Sequence, residues 1–335
     1  MFALKSLLKY PFRALKQRIV YLGNEMSVNI NTKNALAYNI LRDLDVAHKD
    51  KLLVSLYPKI GRNIAHTQNL SNIKRYLELV HPVQISNLMR VGGANDGGYV
   101  MINPQIDLLY SQNPAKINTD SANLPQIPPP IKQIDFSSSK PHAISLGVSP
   151  YSPWDLDMAN FGYEVLQYDA SIKKAPYTHK NITFHKKFVG AKDGADTIAF
   201  GRIIKELSQN ACNVLQCDIE DCEWEILEQV DLGEMAKYFP QVLFEFHNCN
   251  PNDEGLTQRR MAILEAMLAH YTPIHTHFNN YGDVFYVNGY FWGETIEVSY
   301  LRKDLVPQNA VFVDIGNLNI DAPNAIGYPD IPVIF

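Results

Sequence analysis

At 335 residues and 46% hydrophobic content, the chain can bury one substantial core plus a smaller appendage. Its net charge of −5 gives no overall pull toward nucleic acid or acidic membranes, and no basic groove with interleaved aromatics appears. The four cysteines, Cys212, Cys217, Cys222 and Cys249, form no C-x-x-C pair, which argues against zinc or a disulfide framework and for buried thiols in a reducing cytoplasm.

In chain order, Lys5, Lys9, Arg13, Lys16 and Arg18 precede any acid, while Leu4, Leu7, Leu8, Phe12, Leu15 and Ile19 fill much of the remaining helical circumference. Residues 1–20 can therefore lie on a membrane surface, but the preferred reading is a helix packed on the main domain, kinked at Pro11. A signal peptide is not expected, since the continuous apolar stretch and cleavage site are missing. No apolar run approaches the roughly 18 residues of a membrane span. Helical spacing continues through Leu36, Ile40, Leu41 and Leu44, then Ile73, Tyr76, Leu77 and Val80. Residues 1–84 thus read as a helical N-terminal extension or cap, and 85–335 as the main domain. Seven prolines fall from Met101 through Pro141, three of them consecutive at 128–130. A Pro-rich insertion at about 104–140 is either a substrate lid or a tether.

A regular grammar follows. Residues 142–149 are an apolar run stopped by Gly147, and 153–161 are helical with Gly162 placed as a C-cap. Strands are expected at 164–169, ending on Asp169, at 181–190, at 214–218 and at 241–247. Strands alternating with helices of about 10–15 residues predict βαβ units, a mostly parallel sheet and an α/β, Rossmann-like doubly wound fold. Gly147 and Asp169 lie 22 residues apart. A glycine at the first strand–helix turn followed about 20 residues later by an acid suits a ribose-bearing cofactor. The turn lacks G-x-G-x-x-G, which disfavours NAD and suits an adenosyl cofactor without a diphosphate.

The most informative stretch is Val214-Leu-Gln-Cys-Asp218-Ile-Glu220-Asp-Cys-Glu223-Trp224. Asp221 is expected to cap the next helix, with Glu223 and Glu225 favouring its N-terminal end. Asp218 and Glu220 remain unexplained by that, and an extended backbone would aim both one way. Glu245 and His247 would likewise share a face of their strand. His275 and His277 share a strand face too, with structural and acceptor-site roles both open. Phe278, Tyr281, Phe285, Tyr286, Tyr290, Phe291 and Trp292 could stack on a sugar ring or fill a core.

Taken together, Arg90, Asn95-Asp96-Gly97-Gly98-Tyr99-Val100, Ile144-Ser-Leu-Gly147, Tyr168-Asp169, Asp218-Ile-Glu220-x-x-Glu223-Trp224 and Phe244-Glu-Phe-His247 resemble the FkbM-type and methyltransferase-like families. The later pieces 275–280 and 294–300 look like that family's closing strands, and the likeness covers roughly 85–310. Asp221 stands where the family has a small residue, the turn after Gly147 carries prolines, and the segment from Val100 to His142 is longer than the family needs. The resemblance implies S-adenosylmethionine as cofactor, with contacts at Asp96, Gly97, Gly98, Tyr99, Gly147 and Asp169 and with Asp218 and Glu220 near the transferred methyl. It also implies a sugar or glycan hydroxyl as acceptor.

On this reading the protein is a cytoplasmic S-adenosylmethionine-dependent O-methyltransferase. Asp218, Glu220 and His247 are its catalytic residues, with His247 as general base for the acceptor hydroxyl. Oxygen ligands at Asp218, Glu220 and Glu245 with His247 would suit a divalent metal, but no metal is expected. Nucleic-acid partners are excluded and the oligomeric state stays open. The contrasting readings are a non-catalytic Rossmann-like binding or scaffold protein and an NAD-dependent oxidoreductase.

Overall fold

A computed structural model describes residues 64–67, 69–108, 132–137, 140–208, 212–325 and 330–335. The basic segment 1–20, the periodicity at 36–44 and most of the Pro-rich insertion lie outside the described residues. What is described of that insertion closes on itself through an antiparallel bridge between Ile106 and Gln133.

The central sheet takes β1 (Ile64–His66), β4 (His142–Leu146), β5 (Glu164–Tyr168), β6 (Ile182–His185), β9 (Val214–Cys217), β10 (Gln241–Phe246), β11 (Tyr271–Val287) and β12 (Tyr290–Arg302). Their order is β1-β11-β12-β10-β9-β4-β5-β6. β12 runs antiparallel to both neighbours, and every other adjacent pair is parallel. The architecture is α/β with a mostly parallel sheet, compatible with the expected Rossmann-like fold. Two hairpin-sized sheets accompany it: β2 (Leu88–Val91) with β3 (Tyr99–Ile102), and β7 (Phe188–Gly190) with β8 (Thr197–Ala199). The strand expected over 181–190 is thus two strands in different sheets, because the chain turns at 186–187 instead of running straight.

Strand burial explains why the apolar runs are continuous. Alternate residues of β4, β9 and β10 enter different cores: Ile144, Leu146, Leu215, Cys217, Val242 and Phe244 on one face, Ala143, Val214 and Leu243 on the other. A sheet covered on both faces buries every position, so its strands are mostly apolar, with the polar exceptions Ser145, Gln216 and Glu245 on the second face. The first face is packed by α1 (Leu70–Leu79) through Ile73, Tyr76 and Leu77, and by α3 (Phe200–Glu206), α4 (Cys222–Gln229), α5 (Leu232–Tyr238) and α6 (Glu254–Met267). The second is packed by Trp154, Met158 and Ala159 of α2 (Pro153–Phe161) and by Val91, Tyr99 and Met101 of the β2–β3 hairpin.

Helix α2 has the expected bounds, with Pro153 at its start and Gly162 in the left-handed conformation (φ 112°) closing it. α1 lies where Ile73, Tyr76, Leu77 and Val80 predict it, but residues 64–66 just before it are a strand on the sheet edge. The aromatic run after 277 is mostly core: Phe278, Phe285, Tyr286, Phe291 and Trp292 are buried, with Trp292 stacked 4.7 Å from Tyr76, and Tyr281 alone is largely exposed. Cys212, Cys217 and Cys249 are buried, as expected, but Cys222, the first residue of α4, is exposed. Among the described residues no helix is long and apolar enough to cross a membrane.

The strand order reverses between β4 and β9: β4 leads outward to β5 and β6, and the chain then returns to place β9 on β4's other side. In open α/β sheets the crevice at the carboxyl ends of such a pair is where ligands bind.

Candidate active site

Gly147, Asp218 and His247 all follow directly from the carboxyl ends of neighbouring parallel strands, β4, β9 and β10. Gly147 has φ 83°, and a Cβ there would fall 1.6 Å from the Asp218 carbonyl oxygen. The glycine is therefore required by backbone meeting backbone at the switch point, a reason that spacing alone does not reveal. Asp169 fixes the same turn: Oδ2 accepts from Val148 N at 2.9 Å and Oδ1 from Ser171 N at 2.6 Å.

Strand alternation places Gln216 and Asp218, Glu245 and His247, and their cross-strand partner Glu297 on the sheet face covered by the β2–β3 hairpin. Gln216 donates to the Tyr99 hydroxyl at 3.1 Å, and Ser299 donates to Val100 O at 2.5 Å, fixing the hairpin over this row of polar groups. The hairpin's loop carries Asp96, Gly97 and Gly98. Arg90 holds it by donating to Gly93 O and Asn95 O, each at 2.8 Å, and Gly98 N donates to Asn95 O. Asp96 is exposed at the rim, accepting from Asn324 at 3.3 Å.

His247 is the centre of the cluster. Its Nε2 lies 3.7 Å from Asp218 Oδ1, 3.6 Å from Glu220 Oε2 and 3.7 Å from Glu245 Oε1. These separations exceed hydrogen-bond length. The ligand atoms of Asp218, Glu220 and His247 all lie within 4.8 Å of one another, a grouping able to hold a metal ion. On the other side of the ring, Nδ1 is 3.2 Å from Glu223 Oε1, which also accepts the His247 backbone N–H at 2.7 Å. Glu223 is wholly buried. The sequence reading treats it as a favourable charge at a helix start; the fold makes it the residue that orients His247. Its position on the first turn of α4, aimed back at β10, is a tertiary fact without a local signal.

Burial pushes the Asp218 carboxyl up to about 7, with Glu220 and Asp96 adding to the rise and His247 opposing it. Burial and the nearby Asp218 and Glu297 charges raise Glu245 as well. For His247 burial works against the charged form, but Glu223, Asp218 and Glu220 outweigh it and raise the imidazole. The pit is thus short of positive charge.

Two expectations about the acidic elbow are corrected. Asp218 and Glu220 are not aligned by extended backbone: Glu220 and Asp221 are both left-handed, with φ of 55° and 84°. They reach the same imidazole because the chain turns sharply there. Asp221 occupies the N-cap position of α4 but makes no capping hydrogen bond. Its Oδ1 instead accepts from buried Arg260 at 2.9 Å, and Arg260 also donates to Asn248 O. Arg260, unremarked in the sequence, braces both loops from behind.

His275 and His277 are enclosed. His275 Nε2 is 3.0 Å from Asp321, while the two nitrogens of His277 meet Glu297 at 3.1 Å and Asp330 at 2.8 Å. Burial disfavours charge on His277, yet Asp330 and Glu297 together raise it. These histidines tie the C-terminal segment to β11. Asn279 donates to Glu245 Oε1 at 2.8 Å and Asn324 to Glu297 Oε1 at 2.6 Å, so that segment also supports the cluster.

No protein-family model matches the chain. A stretch of 126 residues is 27% identical to the human (Homo sapiens) protein named "Probable methyltransferase-like protein 24", covering 34% of this chain and 34% of that protein. The Rattus norvegicus protein of the same name is 26% identical over 126 residues with the same coverage. The chain thus spans about a third of the length of the curated relatives it matches. The distant similarity to these methyltransferase-like proteins accompanies an α/β sheet whose switch point carries this acid–histidine cluster.

Proposed function

We propose that the protein transfers a methyl group from S-adenosylmethionine to a hydroxyl, with a sugar or glycan as the acceptor class. The observation that carries this reading is the convergence of Asp218, Glu220 and Glu245 on His247 at the carboxyl ends of β9 and β10, beside the crevice bordered by Gly147 and Asp169. The cofactor supplies an electrophilic methyl on a positively charged sulfur. A pit lined by carboxylates and short of cations attracts such a ligand electrostatically. In-line transfer needs the acceptor oxygen aligned and relieved of its proton, and positioning alone supplies much of the rate. Asp218, Glu220 and His247 are the residues that receive the hydroxyl. In this reading Asp169, just after β5, takes the ribose hydroxyls and the hairpin loop 96–99 forms the opposite wall. The sugar class follows from the family resemblance.

Calorimetry checks this reading. S-adenosylmethionine and its demethylated product bind, NAD does not, and Asp169→Ala weakens binding by about 1.5–3 kcal/mol, the scale of charge-assisted hydrogen bonds. Because Asp169 also holds Val148 N, an unchanged thermal unfolding profile must accompany that loss. NAD binding without an adenosylmethionine signal would place the protein among oxidoreductases. A competing reading, a Rossmann-like scaffold without chemistry, draws on Asp169 itself, whose two oxygens already serve Val148 and Ser171. Absence of binding by both cofactors would favour it.

A further inference from the structure

We infer that Asp218, Glu220, Glu245 and His247 form a divalent-cation site whose imidazole ligand is set by Glu223. The sequence reading expects no metal; the inference rests on the arrangement in space. Three carboxylate oxygens surround His247 Nε2 at 3.6–3.7 Å, and none of them is hydrogen-bonded to it. The ligand atoms of Asp218, Glu220 and His247 lie within 4.8 Å of one another, so all three can sit about 2.0–2.6 Å from one ion between them, the range of metal–oxygen and metal–imidazole bonds, with Glu245 on the inner side of the cluster. An independent sign comes from Glu245. Its side chain is 5% exposed, one oxygen points to Nε2, and the other has no hydrogen-bond partner. A carboxylate buried this deeply is costly to keep charged unless a cation compensates it.

The surrounding contacts have the form that metal sites need. His247 Nδ1 is directed to Glu223 Oε1 at 3.2 Å, which leaves Nε2 as the free nitrogen and fixes the ring. Asn279 steadies Glu245 at 2.8 Å. Glu220, with 87% of its side chain exposed, forms the outer wall, so an ion has a way in from solvent. One imidazole among three carboxylates matches a first-row ion such as manganese better than magnesium, which prefers oxygen alone. Within the methyl-transfer reading, from which the inference takes its role but not its basis, the cation would dock the acceptor hydroxyl and ease its ionisation. His247 then serves as ligand instead of free base.

The test is a Mn²⁺ titration of the full chain, stripped with chelator and free of any cofactor, followed by electron paramagnetic resonance. One site per chain is expected, with nitrogen coupling from the imidazole. Glu220→Gln should weaken it by roughly tenfold or more, in line with the usual cost of altering a metal's surroundings. His247→Gln should remove the nitrogen coupling, whereas Glu225→Gln, an exposed acid on the same turn outside the cluster, should change nothing. Equal Mn²⁺ affinity in the wild type and Glu220→Gln, or a site without nitrogen coupling, overturns the inference. Adenosylmethionine binding in chelator, measured separately, keeps the two readings apart. Cofactor binding without a Mn²⁺ site sinks the metal and leaves methyl transfer standing. A Mn²⁺ site without cofactor binding does the reverse.

Discussion

Glu220 shows most directly what this crevice demands of single residues. A glutamate at φ 55° pays for a conformation that glycine adopts freely, and the next residue, Asp221, is left-handed as well. Left-handed backbone costs a non-glycine residue about 1–2 kcal/mol, and such strain concentrates where function requires a particular side chain. Glu220→Gly should accordingly leave global stability unchanged or raise it by up to about 1 kcal/mol, after the entropy of the freer unfolded chain is set against the relieved strain. On the methyl-transfer proposal, turnover should fall in the same variant. Urea unfolding beside an activity assay checks the split, and a destabilised Glu220→Gly would show that the turn, not the carboxylate, is what matters. Asp218 and His247 were legible in the sequence because each ends an apolar run. Glu223 was not, because only folding brings the first turn of α4 within 3.2 Å of the β10 terminus.

Among elements, the loops after β9 and β10 are held as a unit by α6. Arg260, 3% exposed, reaches Asp221 on one loop and Asn248 on the other, and its guanidinium lies 5.4 Å from the Trp224 ring. Trp224 in turn donates to His247 O at 2.9 Å. Arg260→Ala should cost about 1.5–3 kcal/mol in chemical unfolding, since it removes a buried guanidinium with its hydrogen bonds to Asp221 and Asn248 and frees both loops. Its activity loss should persist at temperatures where the variant is fully folded. A variant that recovers full activity once folded would reduce the brace to a stability contact. The helix and strand positions of this region follow from periodicity and the Gly162 stop, whereas the brace joins residues 39 apart in the chain, beyond any local pattern.

For the whole molecule, the doubly covered sheet sets a pH dependence. Asp155, in the first turn of α2, is buried against Gln167, and burial pushes its carboxyl up to about 6 although hydrogen bonds from Gln167 and Ser145 partly oppose the rise. A carboxyl raised on folding stabilises the fold while it is protonated. That contribution is complete below about pH 4, the unfolded value, and is lost as the pH rises through 6. Asp155→Asn keeps the acceptor for Gln167 and removes the charge. Relative to this variant, the wild type should lose roughly 2–4 kcal/mol between pH 4 and pH 7, at 1.36 kcal/mol per pKa unit. Parallel unfolding curves across that window measure it, and parallel stabilities throughout would mean that Asp155 ionises in place without cost.

The amino-acid order by itself determined the alternation of strands and helices, the bounds of α2, and the residues standing at strand ends. Those features depend on local hydrophobic periodicity and on turn chemistry, which neighbours in sequence carry. The likeness to methyltransferases was legible in the same short blocks. What only the tertiary structure decided is how the strands order into a switch point and which groups meet there. Gly147 answers to the Asp218 carbonyl, Glu223 to His247, and Glu245 and Glu297 to each other across paired strands. The sequence also suggested that Asp218 and Glu220 act as neighbours in an extended chain. They act together because a strained left-handed turn folds Glu220 back over the imidazole, and that backbone state is set by the packing of both loops on Arg260.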